Sequence, residues 1–129
     1  MGENHINLTS AEWNVMECLW EKGAITGREA TDMLEEKMGW NRSTTLTLLR
    51  RLEEKGAIVS DSKGTKKSFQ ALVSREAAAL QETEDFLERV YNGSISMMFS
   101  AFTKKQSLSK KEIDELYAML KDVEGGDES

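Results

Sequence analysis

The residues best suited to recognising another molecule lie between Asn41 and Ile58, in the stretch NRSTTLTLLRRLEEKGAI. At helical spacing Thr44, Thr47 and Arg51 share one face, and Thr45, Leu48, Leu49 and Leu52 recur at i, i+3, i+4 and i+7 on another, the pattern of a buried stripe. The first face is unusual for solvated helix surface, because it carries hydroxyls and arginines and meets no acid until Glu53 and Glu54. Such groups suit a DNA major groove: a threonine can meet a thymine methyl or a base edge, and a guanidinium the O6/N7 pair of guanine or a phosphate. Ser43, Leu46 and Arg50 flank the face and complete the candidate DNA-binding set on this helix. An ordinary exposed helix is the competing reading.

The elements around this stretch are those needed to hold it. Thr9-Ser10-Ala11-Glu12 is a capping box that opens a first helix with a heavy apolar stripe of Trp13, Met16 and Trp20, stopped at Lys22-Gly23. Ala24-Ile25-Thr26 has room only for a small strand or turn. Thr26-Gly27-Arg28-Glu29 is a second capping box, opening a helix that points Ala30, Met33, Leu34 and Met38 inward and closes at Gly39. The Thr/Arg helix follows with Asn41 or Ser43 as its N-cap, which is a helix-turn-helix arrangement. After Lys55-Gly56, two short strands, Ile58–Ser60 and Lys67–Leu72, flank a turn at Asp61–Thr65. Three helices and a hairpin carrying Lys63, Lys66 and Lys67 outline a winged helix whose wing touches phosphates.

The rest of the chain is helical and acidic. Ser74 caps a helix broken at Asn92-Gly93-Ser94, a second carries Ile95, Met98, Phe99 and Phe102, and Ser109-Lys110-Lys111-Glu112 is a third capping box. Residues 1–73 already satisfy one small fold, so the apolar faces beyond need another surface. A second copy of the chain supplies it most economically, through Phe86, Leu87, Val90, Tyr91, Ile95, Met98, Phe99, Phe102, Ile113, Leu116, Tyr117 and Leu120. The expected architecture is therefore mainly α with a small β-wing: a winged helix-turn-helix over residues 1–73, C-terminal dimerisation helices over 74–124 and a frayed tail over 125–129. A homodimer of this kind would present two recognition helices to half-sites of double-stranded DNA.

Charge and composition bound the alternatives. The net charge of −6 over 129 residues argues against a nucleic-acid partner until its distribution is considered. Residues 37–67 carry eight basic and three acidic side chains, a local +5, and residues 75–129 seven basic and twelve acidic, a local −5. The single cysteine, Cys18, fits a reducing cytosol and a buried structural thiol, and with no apolar run of membrane length or signal pattern a cytoplasmic protein is expected. For an enzyme there is little: one histidine, His5, in an N-terminal stretch, no nucleophile beside a base, no phosphate loop, and no cluster with metal spacing. Neither cofactor nor metal is expected. A winged helix used only for protein–protein contacts, without specific DNA binding, is the main rival.

The chain resembles the penicillinase and methicillin-resistance repressors, with copper-responsive repressors as a related branch. The resemblance rests on Ala11-Glu12-Trp13 with Val15-Met16 and Trp20, on Thr44 through Leu52 with Lys55-Gly56, and on Phe86-Leu87, Tyr91-Asn92-Gly93 and Glu112-Ile113-Asp114-Glu115-Leu116. It implies a homodimeric winged-helix repressor on palindromic operators, read by Thr44, Thr47 and Arg51 with Ser43 nearby. It also implies release when a membrane sensor's signal leads to proteolysis in the C-terminal region, at the bond between Ala101 and Phe102. Ala101 stands where those repressors carry Asn, and Leu46 where the staphylococcal type carries a basic residue. The paired C-terminal cysteines of the copper branch have no counterpart after Cys18.

Overall fold

The computed structural model describes residues 5–62, 64, 66–105 and 108–126. Its elements run α1 (Ser10–Lys22), β1 (Ile25–Thr26), α2 (Gly27–Met38), α3 (Arg42–Lys55), β2 (Ile58–Asp61), β3 (Ser68–Ala71), α4 (Arg75–Tyr91), α5 (Ile95–Lys104) and α6 (Lys110–Gly126). The chain separates into two compact units, Met1–Thr83 and Glu84–Ser129, so the first two turns of α4 belong with the winged helix.

The helix starts are built from local hydrogen bonds. Thr9 and Thr26 each accept the amide of the glutamate three residues on, whose carboxylate accepts the threonine amide in return. Asn41, rather than Ser43, caps α3, its Oδ1 accepting the Thr44 amide at 2.9 Å. Gly39 and Gly56 close α2 and α3 in the left-handed conformation, which needs no Cβ.

Three helices pack around Val15, Met16, Leu19, Leu34, Leu48, Leu49 and Leu52, all at most 5% exposed. Thr45 is buried with them, as the stripe requires, although its hydroxyl finds no partner among the described residues. The antiparallel sheet has the order β1-β3-β2, with Phe69 opposite both Ile25 and Ser60, and closes one side of this core. Met38, expected to face inward, is 41% exposed: it ends α2, one residue before the cap, beyond the hydrophobic cluster.

Beside the core, Trp13 and Trp20 meet edge to face at 5.0 Å, and the Arg75 guanidinium lies 5.7 and 6.0 Å from their rings. Arg75 donates twice to Glu17, Trp13 donates to the same carboxylate, and Trp20 donates to the Val73 carbonyl. These contacts fix the start of α4 to α1.

The second unit is organised differently. Asn92 at φ 51° and Gly93 at φ 83° turn the chain between α4 and α5, and the expected box at Ser109 and Glu112 opens α6. No described side chain from Glu84 onward is buried. The helix α6 runs through Gly126, two residues into the stretch read as a tail, and residues 127–129 lie outside the described residues.

Candidate nucleic-acid interface

The capped start of α3 and its buried stripe decide which side chains point outward. With Thr45, Leu48, Leu49 and Leu52 held in the core, Ser43, Arg50 and Arg51 stand exposed, Leu46 is 37% exposed, and Thr44 and Thr47 are half-buried at the edge of the same outer face. Ser43 is partly absorbed by the cap, its hydroxyl donating to Asn41 Oδ1 at 3.1 Å. On the hairpin Lys66 and Lys67 are exposed, with Lys67 Nζ 5.5 Å from the centre of the Phe69 ring; Lys63 lies outside the described residues.

Among the described residues Arg50, Arg51, Lys66 and Lys67 form no ion pair. Lys55, counted with the basic residues of this region, behaves otherwise. Its ammonium donates to Glu12 Oε1 and to the Asn7 carbonyl, each at 2.6 Å, so its charge is consumed inside the fold. Glu12 is 1% exposed. Burial pushes its carboxyl up, but the Lys55 hydrogen bond, the Thr9 amide and the Lys55 charge together hold it below the ordinary carboxylate value. The pair ties the C-terminal end of α3 to the start of α1.

Sequence reasoning missed Gly27 and Phe69, which with Leu46 and Leu49 line a groove beside α3. Nothing local signals them, because Gly27 reads as the first residue of a capped helix and Phe69 as a strand residue. Burial pushes the Cys18 thiol up, which makes it a poor nucleophile. Among the described residues no group of His, Cys, Asp and Glu could hold a metal ion, and no helix is long and apolar enough to cross a membrane.

In the second unit the residues expected at a dimer interface lie on α4, α5 and α6. Leu87, Tyr91, Met98 and Leu116 are half-buried, and Phe86, Val90, Ile95, Phe99, Phe102, Ile113, Tyr117 and Leu120 are exposed. Phe86 and Tyr91 meet edge to face at 5.9 Å, with Arg89 over the Phe86 ring. Ala101 and Phe102 are exposed residues inside α5.

A three-helix core, a short third strand and a hairpin beside an outward-facing α3 define a winged helix-turn-helix protein. Residues 8–122 match the penicillinase repressor family model, and the chain belongs to that family, which is one of transcriptional repressors and not of enzymes. It is 31% identical over 122 residues to the methicillin resistance regulatory protein MecI of Mammaliicoccus sciuri, covering 93% of this chain and 98% of the relative. It is 30% identical to the penicillinase repressor of Bacillus licheniformis, covering 89% and 90%. The solution structure of the DNA binding domain of the repressor BlaI superposes with a TM-score of 0.50 at 26% identity, over 54% of this chain and 84% of that domain.

Proposed function

We propose that this protein is a DNA-binding transcriptional repressor of the beta-lactam-resistance type that occupies a palindromic operator as a homodimer. The observation that carries the reading is the outer face of α3: its arginines are exposed and unpaired among the described residues, in a chain whose net charge is −6. Membership of the repressor family, and the names of the relatives, support it. In this reading Thr44, Thr47 and Arg51 read base edges, with Ser43 and Leu46 beside them, and Arg50, Lys63, Lys66 and Lys67 hold phosphates.

Functionally the chain divides at residues 73 and 74, with residues 74–124 joining two copies through their apolar helix faces. Repression follows from occupancy of the operator. Release by a membrane sensor and protease would act on the Ala101–Phe102 bond, and because that bond lies within α5 the helix must unwind locally before a protease can hold it extended. Cleavage there would separate α6 from the winged helix.

The test is a titration of the protein against its own upstream region and a scrambled duplex at two salt concentrations. A salt-sensitive preference for the upstream DNA is expected. Arg51→Ala should weaken specific binding by about 1–3 kcal/mol and relax discrimination, whereas an equal loss on both duplexes would assign Arg51 to a phosphate. Lys66→Ala with Lys67→Ala should lower affinity uniformly and flatten the salt slope. A dimer that shows no salt-sensitive DNA binding on any duplex would be a protein-binding winged helix instead.

A further inference from the structure

The groove between α3 and the base of the hairpin has a chemistry that phosphate contacts alone do not use. Its volume is about 400 Å³, within the range of small-molecule sites. Its floor is apolar, mostly Leu46 with the edges of the largely buried Leu49 and Phe69, and its rim carries the cations of Arg50 and Lys67, the latter with its ammonium 5.5 Å from the centre of the Phe69 ring. Neither cation has a carboxylate partner among the described residues, and the one acid at the rim, Glu53, already accepts a hydrogen bond from the Ser60 hydroxyl. Residue 27, a glycine, lines the groove and adds no side chain to it. A Cβ there would stand 3.6 Å from Phe69 Cε2 and 3.7 Å from Leu46 Cδ2, in ordinary contact with both.

We propose that this groove is a binding site for an amphipathic organic anion, a planar aromatic carboxylate, whose ring lies on the Leu46–Phe69 floor and whose carboxylate meets Arg50 and Lys67. A phosphodiester would satisfy the cations and leave the floor unused; a neutral aromatic would do the reverse. Occupancy by such an anion removes two cations from the proposed DNA surface and so releases DNA directly, without proteolysis. The site stands on the groove alone, and only this regulatory consequence rests on the DNA-binding reading.

The experiment titrates the full chain, labelled with ¹⁵N and with ¹³C at its leucine methyls, with sodium 2-naphthoate and separately with neutral 2-naphthamide. Saturable shifts are expected at Gly27, Leu46, Leu49 and Phe69, with the amide binding at least tenfold more weakly. Lys67→Gln, at an exposed position, should weaken naphthoate binding at least threefold. Gly27→Leu should abolish it, since the first position of a helix accepts leucine and the added side chain fills the groove. Shifts confined to residues 95–123, equal binding of acid and amide, or full naphthoate binding by a folded Gly27→Leu protein would each overturn the site. Should Gly27→Leu fail to fold, an unchanged affinity in Lys67→Gln overturns it equally.

Adding naphthoate to the protein on its upstream DNA separates the two readings. Groove binding by a protein that ignores DNA leaves the site standing and removes the operator reading. DNA binding by a protein that shows no groove shifts does the opposite.

Discussion

Leu52 in α3 and Leu120 in α6 are the same residue in the same kind of amphipathic helix, yet the first is 0% exposed and the second 65%. The first unit covers its apolar stripes with one another and with the sheet, whereas the second leaves its faces open on all three helices. Burial of a stripe within one chain fixes what the opposite face must present. An open stripe marks a candidate contact surface instead. The winged helix thus has a closed core and an outward face available for the proposed DNA contact, and the C-terminal helices keep apolar faces exposed where the second copy is proposed to sit.

The sharpest break in this comparison comes from one substitution at each of these leucines. Leu52→Ala should cost about 3 kcal/mol of stability, because it removes a fully enclosed side chain and leaves a cavity. Urea denaturation followed by the fluorescence of Trp13, Trp20 and Trp40 checks this, and the loss should be the same at every protein concentration. Leu120→Asp should change assembly instead: sedimentation equilibrium is expected to show a dimer becoming a monomer while the winged helix keeps its near-ultraviolet signature. A dimer that survives Leu120→Asp with unchanged affinity removes Leu120 from the interface.

A smaller effect is expected at the ion pair that anchors α3. Lys55→Met leaves the Glu12 carboxylate enclosed without its cation and should cost about 2 kcal/mol, less than for a wholly buried pair because the Lys55 side chain is 34% exposed. The sign of the pH dependence should change as well. In the native protein Glu12 is held below its ordinary value, so its contribution to stability is present above about pH 4.5 and is lost as pH falls through the lower folded value. Without Lys55 the effect of burial is less opposed, the folded carboxyl moves up, and stability should now fall as pH rises through it. Denaturation midpoints from pH 3 to pH 7 distinguish the two curves, and parallel curves would mean that the hydrogen bonds with Thr9 alone hold the carboxylate charged.

The sequence made the local half of the architecture legible. Capping boxes at Thr9, Thr26 and Ser109 depend on residues three apart, and the stripe at Thr45, Leu48, Leu49 and Leu52 repeats within one helix, so both are written in adjacent letters. The outer face of α3 could be identified for the same reason, as what remains when the buried stripe is assigned. What stayed hidden depends on partners far along the chain. Glu12 read as a cap only, because Lys55 is 43 residues away, and the pairing of Glu17 with Arg75 spans 58 residues. Lys55 therefore looked like part of the basic footprint when its charge is used within the fold. The groove at Gly27 and Phe69 was invisible because neither residue is polar and the two come together only when the sheet closes against α2 and α3.

The smallest effect in this set tests whether order at the start of α3 is part of recognition or only of stability. Asn41 Oδ1 accepts the Thr44 amide and the Ser43 hydroxyl, so one side chain organises the turn that carries two of the proposed contact residues. Asn41→Ala should cost about 1 kcal/mol of stability, and Asn41→Ser should restore most of it. Asn41→Asp restores the cap equally well and brings a negative charge to the face proposed to meet phosphates. If the face binds DNA, the three variants must separate: serine near wild type in both properties, alanine reduced in both, aspartate stable and reduced in affinity, with its deficit greatest at low salt because the repulsion is screened as salt rises. Aspartate binding DNA as tightly as serine at low salt would turn the start of α3 away from the backbone and leave Arg50, Arg51 and the wing to carry the contact.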